Sequence, residues 1–373
     1  MKKCSIIILM VLAAMACERR ELWIFQDNFK QVEVDVDWRY YDRDRQLFPH
    51  TPDPSGMTLW LFPRDGRASI SYTTAEVRHF ETYLSKGDYD ALVIDYSPSE
   101  YGHQVFVDMD YAKTAKVQSA VSSYQPDSIS ELFGPGCFAG ELPYMQSSGL
   151  YTVSSEPEKM ASDTIFMHID TGNYDEYIPY QERESYQSSL VHQSFEMQPV
   201  LIPWHMRVRI YIKGIYYLYQ VKASIAGLAD GYYLMRQQAS DTPCLLGLDD
   251  WEIHVTGDNV GYIAKTFSTW GLLNQQNLYS TEISPGEVCI DRPVDELRLN
   301  LRCLLRDRRT VCYYHFDVGN LVRVYNNEYA MRIDLLEGFE GQPDLPYVEG
   351  VNGLDFGGVV VPWEDGTKVD VDF

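Results

Sequence analysis

Apolar and polar residues alternate with a period of two over much of this chain. Val32, Val34, Val36 and Trp38 alternate with Glu33, Asp35 and Asp37, the pattern of a strand with one buried face. Residues 57–62 predict a second strand, closed by Pro63 and the Asp65-Gly66 turn signal. Further strands are expected over 88–96, entered through Gly87, and over 103–109. The stretch 126–149 carries Pro126, Gly134, Pro135, Gly136, Gly140, Pro143 and Gly149, which predicts a loop-rich region with a helical turn over 128–133. Met206, Val208, Ile210 and Ile212 alternate with Arg207, Arg209 and Tyr211, and Lys213-Gly214 leads into 215–221, which predicts a hairpin. Strands are also expected over 251–255, 262–267 and 330–335, and over 368–373 with Val369, Val371 and Phe373 on one face.

The best-defined unit is a hairpin over 296–318. A two-residue turn at Asp307-Arg308 sets Cys303 opposite Cys312, Leu301 opposite Tyr314, Leu299 opposite Phe316 and Leu297 opposite Val318. Apolar residues then meet apolar ones, and Arg298 meets Asp317 on the other face. The segment 73–86 admits two readings. Thr73 and Glu76 fit a capping box with Val77, Phe80 and Leu84 on one helical face, but the segment also reads as an extended arm, which is preferred. No repeat of 20 to 50 residues and no low-complexity tract occurs.

Composition adds location. Lys2 and Lys3, an apolar run from Ile6 to Leu12, and small residues Ala13, Ala14 and Ala16 lead into Cys17. The run is too short to span a bilayer, which takes about 20 residues, and has the order of an export signal. The cysteine directly after the small residues resembles the lipobox of bacterial lipoproteins. That resemblance implies a signal peptide over 1–16, a lipidated Cys17 and contact with a bilayer through its acyl chains. Ala14 stands where that motif usually carries a larger aliphatic residue, and an ordinary secretory signal is the other reading. The 373 residues suffice for about two domains, and the formal charge of −23 makes nucleic acid and anionic headgroups poor partners. Tyrosine is abundant at 28 residues, which suits strands and half-buried surfaces.

Candidate chemistry is sparse. Cys137, Cys244, Cys289, Cys303 and Cys312 form no Cys-x-x-Cys pair, so a zinc or thioredoxin-like reading lacks its ligands. Cys303 and Cys312 read as adjacent core thiols more readily than as a bridge. The eight histidines stand singly, and no Gly-x-Ser-x-Gly elbow occurs. Gly134, Gly136 and Gly140 have the wrong spacing for a dinucleotide loop. The pairs Asp35 and Asp37, Asp42 and Asp44, and Asp108 and Asp110 have calcium-like or acid–base spacing, but read better as solvent faces of strands. No catalytic residue, metal or cofactor is assigned. Exposed Tyr and Trp side chains would suit a glycan, which leaves a sugar ligand open.

A family resemblance rests on specific residues. Cys17 is followed by Arg20-Glu21-Leu22-Trp23, then Val36-Asp37-Trp38-Arg39, Thr58-Leu59-Trp60-Leu61-Phe62-Pro63, and Leu84 with Gly87-Asp88-Tyr89-Asp90-Ala91-Leu92-Val93. This resembles the fimbrillin-like lipoproteins of Gram-negative anaerobes, in an uncharacterised branch, and covers residues 17 to 110 best. The resemblance implies an all-β fold of two tandem transthyretin-like β-sandwiches, over 17–195 and 196–373. It implies a non-enzymatic pilus subunit, anchor or adhesin, lipid-anchored at the outer membrane, whose partners are other pilus subunits joined by strand addition. In such pili an arginine-specific protease removes the first strand, which makes Arg39, Arg43 and Arg45 candidate cut sites. An anchor-type subunit would stay uncut. A surface glycan-binding lipoprotein is the alternative, and an enzyme acting on glycans ranks third.

Overall fold

A computed structural model describes residues 29–38, 54–134, 146–170, 193–275, 288–289, 297–325 and 330–351. Within them the fold is all-β, and its strands, numbered in chain order, form five sheets. A three-stranded sheet runs β11 (Gln193–Met197), β1 (Phe29–Val36), β4 (His79–Ser85). Facing it is a five-stranded sheet in the order β12 (Val200–Leu201), β10 (Ala161–Ile169), β5 (Gly87–Asp95), β2 (Met57–Pro63), β3 (Ile70–Thr74). One core joins the two faces, with Val32, Val34 and Leu84 on one side and Leu59, Leu61, Ala91, Val93 and Met167 on the other.

Two six-stranded sheets make a second sandwich. One runs β18 (Glu252–Gly257), β19 (Val260–Thr269), β13 (Trp204–Lys213), β24 (Ala330–Leu335), β23 (Arg323–Tyr325), β20 (Val288–Cys289). The other runs β22 (Val311–Asp317), β21 (Arg298–Leu305), β14 (Leu218–Ala229), β17 (Pro243–Leu248), β9 (Tyr151–Ser154), β8 (Val121–Tyr124). Met206, Val208 and Ile210 of β13 meet Ala223 and Ile225 of β14 and Leu299 and Leu301 of β21 in their shared core. A four-stranded sheet, β16 (Gln238–Ala239), β15 (Gly231–Tyr233), β7 (Lys116–Ser119) and β6 (Gln104–Val107), completes the set.

Helix α1 (Pro126–Phe133) starts with proline at its first turn, where the missing N–H costs nothing, and ends at Gly134 with φ 99°. Its buried Ile129 and Phe133 pack on Ala226 and Leu245, residues on the outer face of the β14 sheet. The helical turn expected over 128–133 is therefore present, and the helix begins two residues earlier, at Pro126.

The strand expectations over 32–38, 57–62, 88–96 and 330–335 hold, and 73–86 is extended as preferred. The hairpin expected over 206–221 is absent. β13 pairs with β19 and β24, while β14 pairs with β17 and β21 in the opposite sheet. Between them Gly214, at φ 76°, enters a 3-10 turn over Ile215–Tyr217 whose buried Ile215 enters the shared core. The chain thus crosses the sandwich instead of doubling back. Pairing also crosses position 195 in both directions: β12 joins β10, and β9 joins β17.

Candidate functional site

The first strand sits as an insert. β1 runs parallel to β11 on one flank and antiparallel to β4 on the other. Taking it away would open two backbone edges at once, and unpaired edges template pairing with another strand. Period-two alternation points Val32, Val34, Val36 and Trp38 inward, at 0, 1, 3 and 0 % exposure. Beneath them lie Leu59 and Leu61 of β2 and Tyr89, Ala91 and Val93 of β5. A one-residue slip would drive Glu33, Asp35 and Asp37 into this floor, so the register is fixed by burial. Trp38 closes one end, donating its Nε1–H to the Val77 carbonyl at 2.6 Å. Around it the Val36 N–H donates to the Arg78 carbonyl and the Asp37 N–H to the Met197 carbonyl, both at 2.9 Å.

The outer side of β1 is acidic. Glu33 stands opposite Glu81 on β4 and Ser194 on β11, and Asp35 stands opposite His79 and Glu196. The His79 ring bridges the two strands, with Nδ1 2.8 Å from Asp35 Oδ1 and Nε2 3.0 Å from Glu81 Oε1. Those hydrogen bonds, Asp35 first and Glu81 second, raise the imidazole from 6.5 to about 9, so both ring nitrogens carry protons and donate at neutral pH.

Other candidate positions fall apart in space or outside view. Cys17, Arg39, Arg43 and Arg45, with Asp42 and Asp44, lie outside the described residues, although Arg39 directly follows Trp38 in sequence. Asp35 bonds to His79, and Asp108 sits at φ 53° in the turn after β6. Among the described residues no group of His, Cys, Asp and Glu is placed to hold a metal. Tyr262 is flanked by His254 at 4.6 Å and Tyr211 at 5.5 Å, so its ring faces are taken up by neighbours rather than presented flat to a sugar. Sequence reasoning missed β11. Its signal is faint, the alternation of Phe195 and Met197 with polar neighbours. It also missed His79, which becomes significant only once β4 lies beside β1.

A profile described as a domain of unknown function, DUF5119, matches residues 16–249. The chain belongs to the DUF5119 family. The match spans β1 with both its flanking strands, so the slot is inside the family's region. No curated protein matches the chain. Among solved structures, a candidate adhesin from Bacteroides ovatus ATCC 8483 superposes with a TM-score of 0.52 at 16% identity, covering 89% of this chain and 98% of its own. A candidate polysaccharide-binding protein from Bacteroides thetaiotaomicron VPI-5482 gives 0.42 at 10% identity, covering 82% of this chain and 89% of its own. The fimbrial anchor protein Mfa2 from Porphyromonas gingivalis gives 0.41 at 10% identity, covering 82% and 90%. The expectation of an uncharacterised family is met by the DUF5119 match, and the likeness to the Bacteroides ovatus protein is one of fold.

Proposed function

We propose that this DUF5119 chain is a cell-surface adhesin or pilus component that works by docking rather than by turnover. It reaches the outer membrane through acylated Cys17; a chain left uncut stays anchored there, whereas cleavage after β1 severs the anchor and opens the β1 slot to strand addition. The observation that carries the reading is the placement of β1: central in its sheet, bonded on both flanks, with every second side chain buried. Such a strand is the natural unit of exchange, because an incoming strand recovers both ladders and the same pockets. Arg39, Arg43 and Arg45 lie between β1 and β2 in the sequence, where cleavage would free β1 without touching either sheet. The overall likeness to the Bacteroides ovatus candidate adhesin supports the fold of this reading.

The test has two arms. Mass spectrometry of the membrane fraction should find Cys17 acylated at the new N-terminus, and Cys17→Ala should release the chain into the soluble fraction. Cleavage in the 39–53 segment should let a labelled peptide of residues 29–38 exchange into the slot. A freely secreted, unmodified chain would sink the anchor; a cleaved chain that never exchanges the peptide would sink strand addition.

A further inference from the structure

Tyr219 is out of step with its strand. β14 pairs Leu218 with Leu305 and Gln220 with Leu304, so Tyr219 is an extra residue with no partner on β21. Such a bulge re-aims a side chain and is over-represented beside functional sites. Here it leaves Tyr219 and Gln220 exposed in succession, between the buried Leu218 and Val221. We propose that Tyr219 is the stacking platform of a binding site for a neutral sugar unit of a glycan. The proposal rests on the docking reading, to which it adds a ligand class, and is independent of exchange at the β1 slot.

A hollow of about 410 Å³ adjoins the bulge, lined by Tyr219, Gln220 and Lys222 of β14 and by Asp249, Asp250 and Trp251. That volume falls in the range of roughly 300–1,000 Å³ usual for small-molecule sites. Residues 249–251 carry the chain from β17 in one sheet to β18 in the other, so the hollow lies where the chain crosses the sandwich. Three departures from regular backbone geometry meet there: the bulge, Asp250 at φ 56° and Arg308 at φ 57°. Strained residues of this kind gather at ligand sites. The Arg308 guanidinium lies over one face of the Tyr219 ring, 4.7 Å from its centroid, and forms no part of the wall of the hollow. Among the described residues no second ring or cation packs on Tyr219, which is 47 % exposed. The C–H face of a pyranose packs on such a ring, which pairs an apolar body with a polar tip.

The polar groups of the wall suit hydroxyls, each of which donates and accepts. Lys222 supplies N–H donors, Asp249 and Asp250 supply acceptors, and the Gln220 amide supplies both. Lys222 stands 3.6 Å from Asp249, whereas among the described residues neither Gln220 nor Asp250 has a hydrogen-bond partner for its side chain. The Trp251 Nε1–H is spent on the Leu248 carbonyl at 3.1 Å, and its ring is buried, so it supports the hollow and leaves Tyr219 as the platform. Two carboxylates face one ammonium in the wall, and the chain carries a formal charge of −23, so a uronate or sialylated unit is repelled and a neutral one preferred. One stacked ring with a few hydroxyl contacts gives a Kd of about 1 mM, which display of many copies on a surface strengthens through avidity.

The experiment uses the full chain with Cys17→Ser and saturation-transfer NMR against lactose, maltose, cellobiose, mannobiose and digalacturonate. At least one neutral disaccharide should bind with a Kd of about 1 mM, and digalacturonate should not. Tyr219→Ala should weaken that binding by about tenfold or more, and Asp250→Ala by about threefold to tenfold. Tyr219→Phe should retain it, because stacking does not need the hydroxyl. Tyr83→Ala, which removes an exposed tyrosine of the first sandwich, should change nothing. Each variant is checked for wild-type cooperative unfolding. If a neutral sugar binds and Tyr219→Ala leaves its Kd unchanged, the site falls while the docking reading stands. Preferential binding of digalacturonate would overturn the neutral ligand. A panel in which nothing binds up to about 20 mM overturns the glycan ligand itself, and the acylation and peptide-exchange tests then decide the docking reading separately.

Discussion

Asp95 is the most consequential polar side chain of the first sandwich. It is fully buried at the end of β5, where its Oδ1 accepts from the Tyr101 hydroxyl at 2.7 Å and from the Ala161 N–H at 2.8 Å. It thereby fastens the end of β5 to the start of β10. Asp95→Ala leaves the Ala161 N–H buried without this acceptor, a loss of about 2–3 kcal/mol. Asp95→Asn keeps an acceptor oxygen and should cost less. Urea denaturation should rank the two in that order, and equal effects would show that charge, not acceptance, matters. His79 carries a second residue-scale consequence. Its pKa rises from 6.5 to about 9 on folding, so its contribution is full below pH 6.5 and is lost as pH rises through about 9. The protection factors of the β1 amides, in which the intrinsic base-catalysed rise of exchange with pH is divided out, should therefore fall between pH 7 and pH 9.5, and His79→Ala should remove that fall. An unchanged profile in the variant would assign the effect to another group.

At the scale of elements, what the sequence revealed depends on whether a residue's partner is nearby in the chain. The 298–317 hairpin was legible because two adjacent runs must match apolar to apolar and Arg298 to Asp317, and the register agrees pair by pair, Cys303 opposite Cys312 included. Both thiols are free. Its connection is wider than two residues: the Leu305 N–H donates to the Thr310 carbonyl at 2.9 Å, Arg308 lies at φ 57°, and the Asp307 carboxylate accepts the Arg309 and Thr310 N–H groups. The β13 to β14 passage was misread because alternation shows that a strand has a buried face but not which sheet it joins. The same gap limits the slot. The inward face of β1 was legible in Val32, Val34, Val36 and Trp38, whereas its parallel partner β11 comes from far along the chain, and the faint alternation of Phe195 and Met197 does not show which strand it joins.

At the scale of the molecule, the described residues are tied together by a third core. Trp60 and Phe62 of β2 and Leu92 and Ile94 of β5 face away from the first sandwich and meet Val117, Tyr232, Ile202 and Trp270. Trp270 donates its Nε1–H to Ser119 Oγ at 3.0 Å, a buried bond between distant stretches of chain. Nearby, Lys116 reaches Asp230 at 2.8 Å, next to the β7–β15 ladder. This core draws on residues from both sides of position 195, and residue 195 itself lies inside β11. Pieces covering 17–195 and 196–373, made separately, should therefore not fold: the first lacks part of β11 and all of β12, and the second lacks β7, β8 and β9. The whole chain should unfold in a single calorimetric transition, because neither sandwich can open without exposing the shared aromatic layer. Trp270→Ala, which empties that layer, should cost about 3–5 kcal/mol and lower the one transition as a unit. A variant that split the trace into two independent transitions would instead show that the layer merely links two self-sufficient sandwiches. Joint folding also bears on docking. A chain stabilised through this layer can lose β1 and keep a folded remainder to receive the next strand, because the layer contains no residue of β1.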